Sequence, residues 1–504
     1  MATWSRLLDL WCAGWFWTDA PPPDRGTFRE LTARLLHGAC ALPERLCSQL
    51  LNHADAVAGR CRFLHWPLAF PEIFLDEQAH PQPTPGFDAV IGNPPWEMVR
   101  GDSGDEQART SRKAEAKRLT DFVRESGIYR VDSSAHANLY QLFLERALQL
   151  VRRGGRIGLV LPSGLISDAG AAPLRRHLFD RADVDAITGL DNREAIFPIH
   201  RSTRFVLLTC TPGQPMKAIR CRFGITRVED LDGINTGSPA ITLTRAFIQQ
   251  LSGSDDLGIP ELSTPRDVAI VERISARVPR LGDEAGWCVQ FSRELNASDD
   301  RHAFVAHTGG SDVRPIVEGK QIEPFRVSLD RCRLQLDSRA TIRRTLPQRA
   351  RIAYRDVASA TNRLTLIAAI IPARAVTTHT LFCLRTRLPM AEQQVLCAML
   401  NSFVANYLIR LRVNTHVTAT LMSRLPVPVI REGHPLFEQL GTLSASLVRD
   451  TRPVEEMEEY ARLQALCAHA YQLRAGEFEH ILGTFPLIPE GVRRAALASF
   501  TVIH

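Results

Sequence analysis

The run Phe87-Asp88-Ala89-Val90-Ile91-Gly92, followed at once by Asn93-Pro94-Pro95-Trp96, constrains this chain more than any other feature. The first six residues read as a buried strand. Two successive prolines, which lack backbone N–H groups and fix φ, then close it in a stiff turn. Asn93 offers an amide oxygen and Pro94 a backbone carbonyl, two acceptors suited to both hydrogens of one exocyclic amino group, with the Trp96 ring beside them for stacking. The same four letters also suit a plain Pro-Pro turn in an unrelated α/β protein.

A chain of 504 residues is long enough for several domains, since single cores stop growing near ~250 to 300 residues. Its eleven cysteines scatter from Cys12 to Cys467 with no C-x-x-C pair and no His/Cys cluster at ligand spacing. That pattern argues against a zinc site or a disulfide framework, so no metal is expected and reduced thiols in the cytoplasm are the simpler reading. The apolar opening Leu7 to Trp17 is interrupted by Asp9 and reads as an amphipathic core helix rather than a leader. No stretch reaches the ~20 apolar residues of a spanning helix, so the membrane is not an expected partner.

Patterning divides the chain into five regions. Residues 1–60 read as a helical segment broken by Pro21-Pro22-Pro23. Residues 61–215 alternate strand and helix: Ala89 to Ile91, a helix over 138–151, Arg156 to Leu161, a helix near 171–179, then strands at 184–188 and 205–209. That alternation predicts an α/β fold with a parallel-rich sheet. Pro212-Gly213-Gln214-Pro215 reads as a domain exit into a linker over 216–259, with Ser252-Gly253-Ser254 as a looser joint. Residues 260–430 mix short strands with polar turns, and 431–504 form a helical, amphipathic tail through Met457, Tyr460, Leu463 and Leu466. The charged stretch Arg100 to Arg130 is expected as a lid or DNA-facing insertion, or else as a solvated helical excursion.

Charge is modest at +6 but unevenly spread. From Lys320 to Arg355, ten basic residues face only Glu323, Asp330 and Asp337, an excess that suits a phosphate-contacting surface or a solvated face.

Asn93-Pro94-Pro95-Trp96 is the Asn/Asp-Pro-Pro-aromatic motif of N6-adenine DNA methyltransferases, and its surroundings resemble the type IIG restriction-modification enzymes. The resemblance runs in order through Phe63 to Phe74, Asn138-Leu139-Tyr140-Gln141-Leu142-Phe143, Gly154 to Pro162 and Ile196-Phe197-Pro198-Ile199-His200-Arg201-Ser202. It continues over 260–430, similar to a target-recognition domain, in Pro315 to Ile322, Arg351 to Val357 with Thr361-Asn362-Arg363, Met399-Leu400-Asn401-Ser402 and Leu425-Pro426-Val427-Pro428. The coverage is roughly residues 60 to 430.

What the resemblance implies is a Rossmann-like methyltransferase sheet followed by a mixed α+β recognition domain. Asn93 to Trp96 would be catalytic on an adenine flipped out of double-stranded DNA, with Phe197 a candidate for its second face. Asn138 and Tyr140, at the head of a helix, would border S-adenosylmethionine. His200 and Arg201 could reach phosphate or the base pocket, although a His-Arg pair beside a turn is more often structural. Lys320, Arg343, Arg344, Arg351, Arg355 and Arg363 are the DNA-binding candidates, and Asp356 joins Arg355 and Arg363 as a possible reader of base edges. A nuclease-like acid ahead of Glu-x-Lys, Asp312 with Glu318-Gly319-Lys320, is rejected because it falls inside the recognition-like region.

One departure from the family stands out. The glycine-rich loop and the acidic residue that hold the cofactor should precede the motif, yet the 92 residues before Asn93 read mostly as helix and contain no Gly-x-Gly after a strand. The expectation is therefore the C-terminal portion of a larger enzyme that lacks the first strands of its sheet, completed by an upstream-encoded chain. The alternatives are a non-catalytic DNA-binding specificity subunit and a truncated remnant.

Overall fold

The computed structural model describes residues 2–18, 20–98, 106–131, 138–235, 240–310, 313–337, 339–340, 347–413 and 415–502. They divide into two compact units, Met1–Arg245 with Ser254–Leu257, and Ala246–Gly253 with Gly258–His504.

The first unit opens with α1 (Ala2–Trp15), α2 (Arg25–His37) and α3 (Glu44–Cys61), which share a small core built on Leu10, Ala13, Leu31, Leu51 and Val57. Local chemistry sets the bounds of α2: the Asp24 side chain accepts from Thr27 N at 2.7 Å, and Gly38 ends the helix at φ 76°. Two short helices, α4 (Trp66–Ala69) and α5 (Pro71–Phe74), then bring Trp66, Phe70 and Phe74 edge-on to Phe87 at centroid distances of 5.7, 5.3 and 5.6 Å. This aromatic clasp anchors the strand that leads to the motif.

Six strands follow: β1 (Phe87–Gly92), β2 (Val151–Pro162), β3 (Ala182–Asp191), β4 (Arg204–Pro212), β5 (Ala218–Ile225) and β6 (Ile241–Thr244), in spatial order β1-β2-β4-β3-β5-β6. The expected parallel-rich sheet is corrected to a mixed one. Only β1–β2 and β3–β5 are parallel, whereas β2–β4, β3–β4 and β5–β6 are antiparallel. The segment 192–203 between β3 and β4 holds one short turn, Asn192–Glu194, and no helix to carry a crossover, so β4 returns beside β3 antiparallel. Residues 216–244, expected as linker, instead supply β5 and β6, and Pro212 to Pro215 is a turn within the sheet.

A second correction concerns β1. No residue of it is buried, and Ile91 is 90% exposed: β1 lies at the edge of the sheet, pairs with β2 alone among the described residues, and none of these covers the face that carries Ile91. Its approach to β2 is nonetheless close. A Cβ on Gly155 would lie 2.7 Å from the Asp88 carbonyl oxygen, so the β1–β2 bulge requires glycine there.

Within the charged stretch lies α6 (Glu106–Glu125), whose Phe122 packs on Trp11, Trp15 and Phe16 of the N-terminal helical region. This part of the expected lid is docked; residues 99–105 and 132–137 lie outside the described residues.

The second unit holds two four-stranded sheets and a two-stranded ribbon around the helices Met390–Leu400 and Phe403–Arg410, which are buried on nearly every side. Buried amides join helix to strand: Asn406 Oδ1 accepts from Thr365 N and Leu366 N, and Asn401 Oδ1 accepts from Ala368 N at 3.0 Å. The Leu425 to Pro428 run is likewise internal, taking hydrogen bonds at Leu425 O, Pro426 O and Pro428 O from Leu281 N, Tyr471 and Trp287. Four further helices, 437–449, 458–470, 475–483 and 490–502, make up the tail. Among the described residues no helix is long and apolar enough to cross a membrane.

Candidate active site

The motif lies at the carboxyl end of β1, where open α/β sheets place their ligand crevice. Asn93 and Pro95 are exposed, Pro94 is buried and Trp96 half-buried. The Asn93 amide meets no protein partner among the described residues. Trp96 is pinned instead: its indole Nε1 donates to Val160 O of β2 at 3.3 Å, and its ring lies 5.9 Å from Phe205 of β4. Phe197 packs on the same ring at 4.9 Å, so Trp96 and Phe197 meet through Phe205 in one aromatic cluster with Leu190 and Ile225.

A residue missed in the sequence holds Phe197 in place. Asn192, fully buried, accepts from Phe197 N at 2.8 Å and donates to Phe197 O and Ile199 O, each at 3.1 Å. Ala195 within this turn adopts φ 60°, a left-handed conformation that an alanine holds only when its surroundings enforce it. An asparagine following a strand was visible in the sequence, but its inward direction was not. His200 pairs with Ser202 Oγ at 2.7 Å and Arg201 donates to Arg193 O, both within the turn.

Beyond Trp96 the chain meets the head of α7 (Leu139–Leu150). Met98 forms an antiparallel bridge to Asn138, and Leu139 N donates to Glu97 O at 2.9 Å. Asn138 is thereby brought to the motif. Tyr140 is 2% exposed, faces inward, and accepts from Gln141 Nε2; burial, with Asp168 nearby, pushes its hydroxyl up to about 12. Arg175, also unnoticed in the sequence, is 1% exposed and ties Leu165 O, Asp168 O and the Asp256 carboxylate together behind β2.

The DNA-binding candidates of the second unit fare differently. Arg351 is a correction. It is 3% exposed and forms a bidentate pair with Glu294 at 2.8 and 2.6 Å, while also donating to Pro372 O and Ala375 O, so it has no face for phosphate. Arg355 donates to Ile322 O, and burial lowers its pKa. Arg363 pairs with Glu455, and exposed Lys320 with Glu318 at 2.7 Å. Arg355 and Arg363 do line one cavity of about 980 Å³ with Asn362, but Glu323, Glu455 and Glu456 line it too and cancel the charge. Arg343, Arg344 and Asp312 lie outside the described residues.

With this geometry in place, comparison with known proteins is informative. Residues 42–197 match the Eco57I restriction-modification methylase family. The match runs from α3 through the Phe197 turn, so it takes in the whole motif, Asn138 and Phe197, and ends well before the second unit. A search of curated proteins returned no match. Among solved structures, the type IIL restriction-modification enzyme MmeI in complex with DNA is 9% identical, with 82% of this chain and 57% of that one covered and a TM-score of 0.47. The type IIG restriction endonuclease BpuSI is 11% identical over 100% of this chain and 65% of that one, with a TM-score of 0.32. The ATP-dependent type ISP enzyme LlaBIII bound to DNA is 9% identical over 82% and 31%, at 0.42. The chain spans under two thirds of the length of each of these proteins.

Proposed function

We propose that this chain holds the target amine in a site-specific DNA methyltransferase of a restriction-modification or related defence system, acting on N6 of an adenine flipped out of double-stranded DNA. The observation that carries the reading is the Asn93 amide, without a protein partner among the described residues, at the carboxyl end of β1 beside a pinned Trp96, inside the segment that matches a methylase family. Asn93 Oδ1 and Pro94 O accept the two amino hydrogens and favour the pyramidal nitrogen whose lone pair can attack. As positive charge develops on that nitrogen, the two oxygens stabilise it without a prior proton transfer. Trp96 and Phe197 supply aromatic surface for the extruded base, whose removal from the stack costs a few kcal/mol.

S-adenosylmethionine is the methyl donor in this reading. The residues present fit the amine-holding half of such a site and not the cofactor half. Among the described residues β1 pairs on one side alone, its Ile91 side chain is bare on the sheet face, and no glycine-rich turn adjoins that edge. Asn138 is the one candidate at the head of α7 that borders the crevice. We therefore assign the cofactor loop to a strand-bearing segment outside these residues, such as an upstream-encoded chain, which adds to the free edge of β1.

The test is methyl transfer to duplex DNA by the chain together with its completing polypeptide, read by mass spectrometry of the nucleosides. The expected product is N6-methyladenine, lost in Asn93→Ala while DNA binding persists. Transfer unchanged in Asn93→Ala, or binding of DNA without transfer by the completed protein, overturns the reading in favour of a specificity protein.

A further inference from the structure

A carboxylate in the second unit is buried, yet it holds two exposed nitrogen-bearing side chains. Asp356 is 3% exposed; its Oδ2 accepts from Arg293 Nη2 at 2.6 Å, and its Oδ1 lies 3.2 Å from His416 Nδ1. Arg293 and His416 are themselves 45% and 51% exposed. The backbone fixes the carboxylate in turn, because Asp356 N donates to Thr380 O at 3.0 Å and Asp356 O accepts from Val417 N at 2.7 Å. Val357 pairs with His416 in an isolated bridge and leaves its side chain 62% exposed beside them.

Arg293 is ordered further on one face. Its guanidinium stacks 4.8 Å from the centroid of Phe382, which stacks on buried Tyr354 at 5.5 Å and 19°. Only one of the five N–H donors of this guanidinium is used by the protein among the described residues. An arginine held flat on a ring by a buried acid has lost its rotamer freedom before any ligand arrives, and its free edge faces solvent. A solvated surface arginine needs none of this support.

We infer that Arg293 and His416, positioned by Asp356, read one G·C base pair in the major groove; this rests on the DNA-methyltransferase reading above. The free edge of Arg293 matches the O6 and N7 acceptors of guanine. In its neutral form with Nδ1–H directed at Asp356, His416 would present Nε2 as an acceptor, the complement of the cytosine N4 amino group of the same pair. Two side chains that share one carboxylate stand side by side, as O6 and N4 do across a base pair. The exposed Val357 offers apolar contact at the neighbouring position. Neither Arg293 nor His416 belongs to the basic run of the sequence, in which Arg326, Arg351 and Arg355 are spent on internal carbonyls and an acid.

The probe is a pool of 20-base-pair duplexes with a randomised centre, selected on the full chain with its completing polypeptide and sequenced. The wild-type protein is expected to enrich G at one position by roughly 10- to 100-fold over the other bases. Arg293→Ala should erase preference at that position alone, with the remaining preferences intact. Asp356→Asn, an isosteric change, should relax the same position without loss of Tm beyond a few degrees. Loss of affinity shared equally by all duplexes, with a shallower salt dependence, would make Arg293 a phosphate contact and overturn the inference, as would unchanged preferences. Failure to bind any duplex would instead sink the methyltransferase reading itself.

Discussion

The indole Nε1 of Trp96 donates to the carbonyl of Val160 across 3.3 Å, which ties the turn after β1 to the neighbouring strand β2. The ring proposed to meet a base is thus set by the sheet and not by the turn alone.

Trp96→Phe removes that donor and keeps an aromatic ring. The expected cost is about 1 kcal/mol of stability in the first unit, measured by urea unfolding, together with slower methyl transfer because the ring is free to turn. A variant as stable and as active as the parent would mean that the hydrogen bond does not position the ring.

Asn192 supports the other aromatic residue. Asn192→Ala leaves Phe197 N and the carbonyls of Phe197 and Ile199 without their partner, so a loss of about 2 kcal/mol is expected. Limited proteolysis should then cut within 195–203 before any other site in this unit.

Asp267 predicts a pH effect in the second unit. Burial alone would raise its carboxyl, but hydrogen bonds from His480 at 2.7 Å, Tyr407 at 2.7 Å and Thr264 outweigh it and hold the group below the usual range. A depressed carboxyl stabilises the fold above its unfolded value near ~3.9, and that contribution is lost as pH falls through the folded value. Asp267→Asn should therefore lower stability at pH 7 by about 2 kcal/mol and flatten the decline below pH ~4, as read from thermal unfolding across pH.

The strands and helices from 87 to 212 were legible because their apolar runs have the right length and period. The direction of β4 was not, since a run such as Phe205 to Thr209 looks alike in either orientation. Period-two burial in β5, with Ile219 and Cys221 inside and Arg220 exposed, was present in the letters but masked by the Pro-Gly turn ahead of it. The exposure of Ile91 runs against its composition, because an apolar strand reads as buried wherever a neighbour is assumed. In the first unit the four-residue motif was readable as a candidate site, whereas Asn192 and Arg175 were not; in the second, Asp356 was singled out but its partners Arg293 and His416 were not. Their roles depend on direction, which spacing does not carry. For the same reason the count of basic residues from 320 to 355 overstated the cations free for a ligand: Arg351 and Arg355 point at Glu294 and Ile322 O.

The side of β1 left unpaired among the described residues makes a prediction about partners, because a strand added there sets its own side chains against Ile91 on the same sheet face. Ile91→Lys alters a side chain that is 90% exposed, so the stability of the chain itself should shift by no more than ~0.5 kcal/mol. Association with the completing polypeptide, measured by analytical ultracentrifugation, should weaken at least tenfold. Equal association would place the partner elsewhere.

The most direct test of the central claim is calorimetric titration of S-adenosylmethionine into the purified chain, alone and then with the completing polypeptide. The account predicts no binding by the chain alone and stoichiometric binding once β1 has gained its neighbour. Stoichiometric binding by the chain alone would contradict it, because the cofactor site would then be complete without the strand that the free edge awaits.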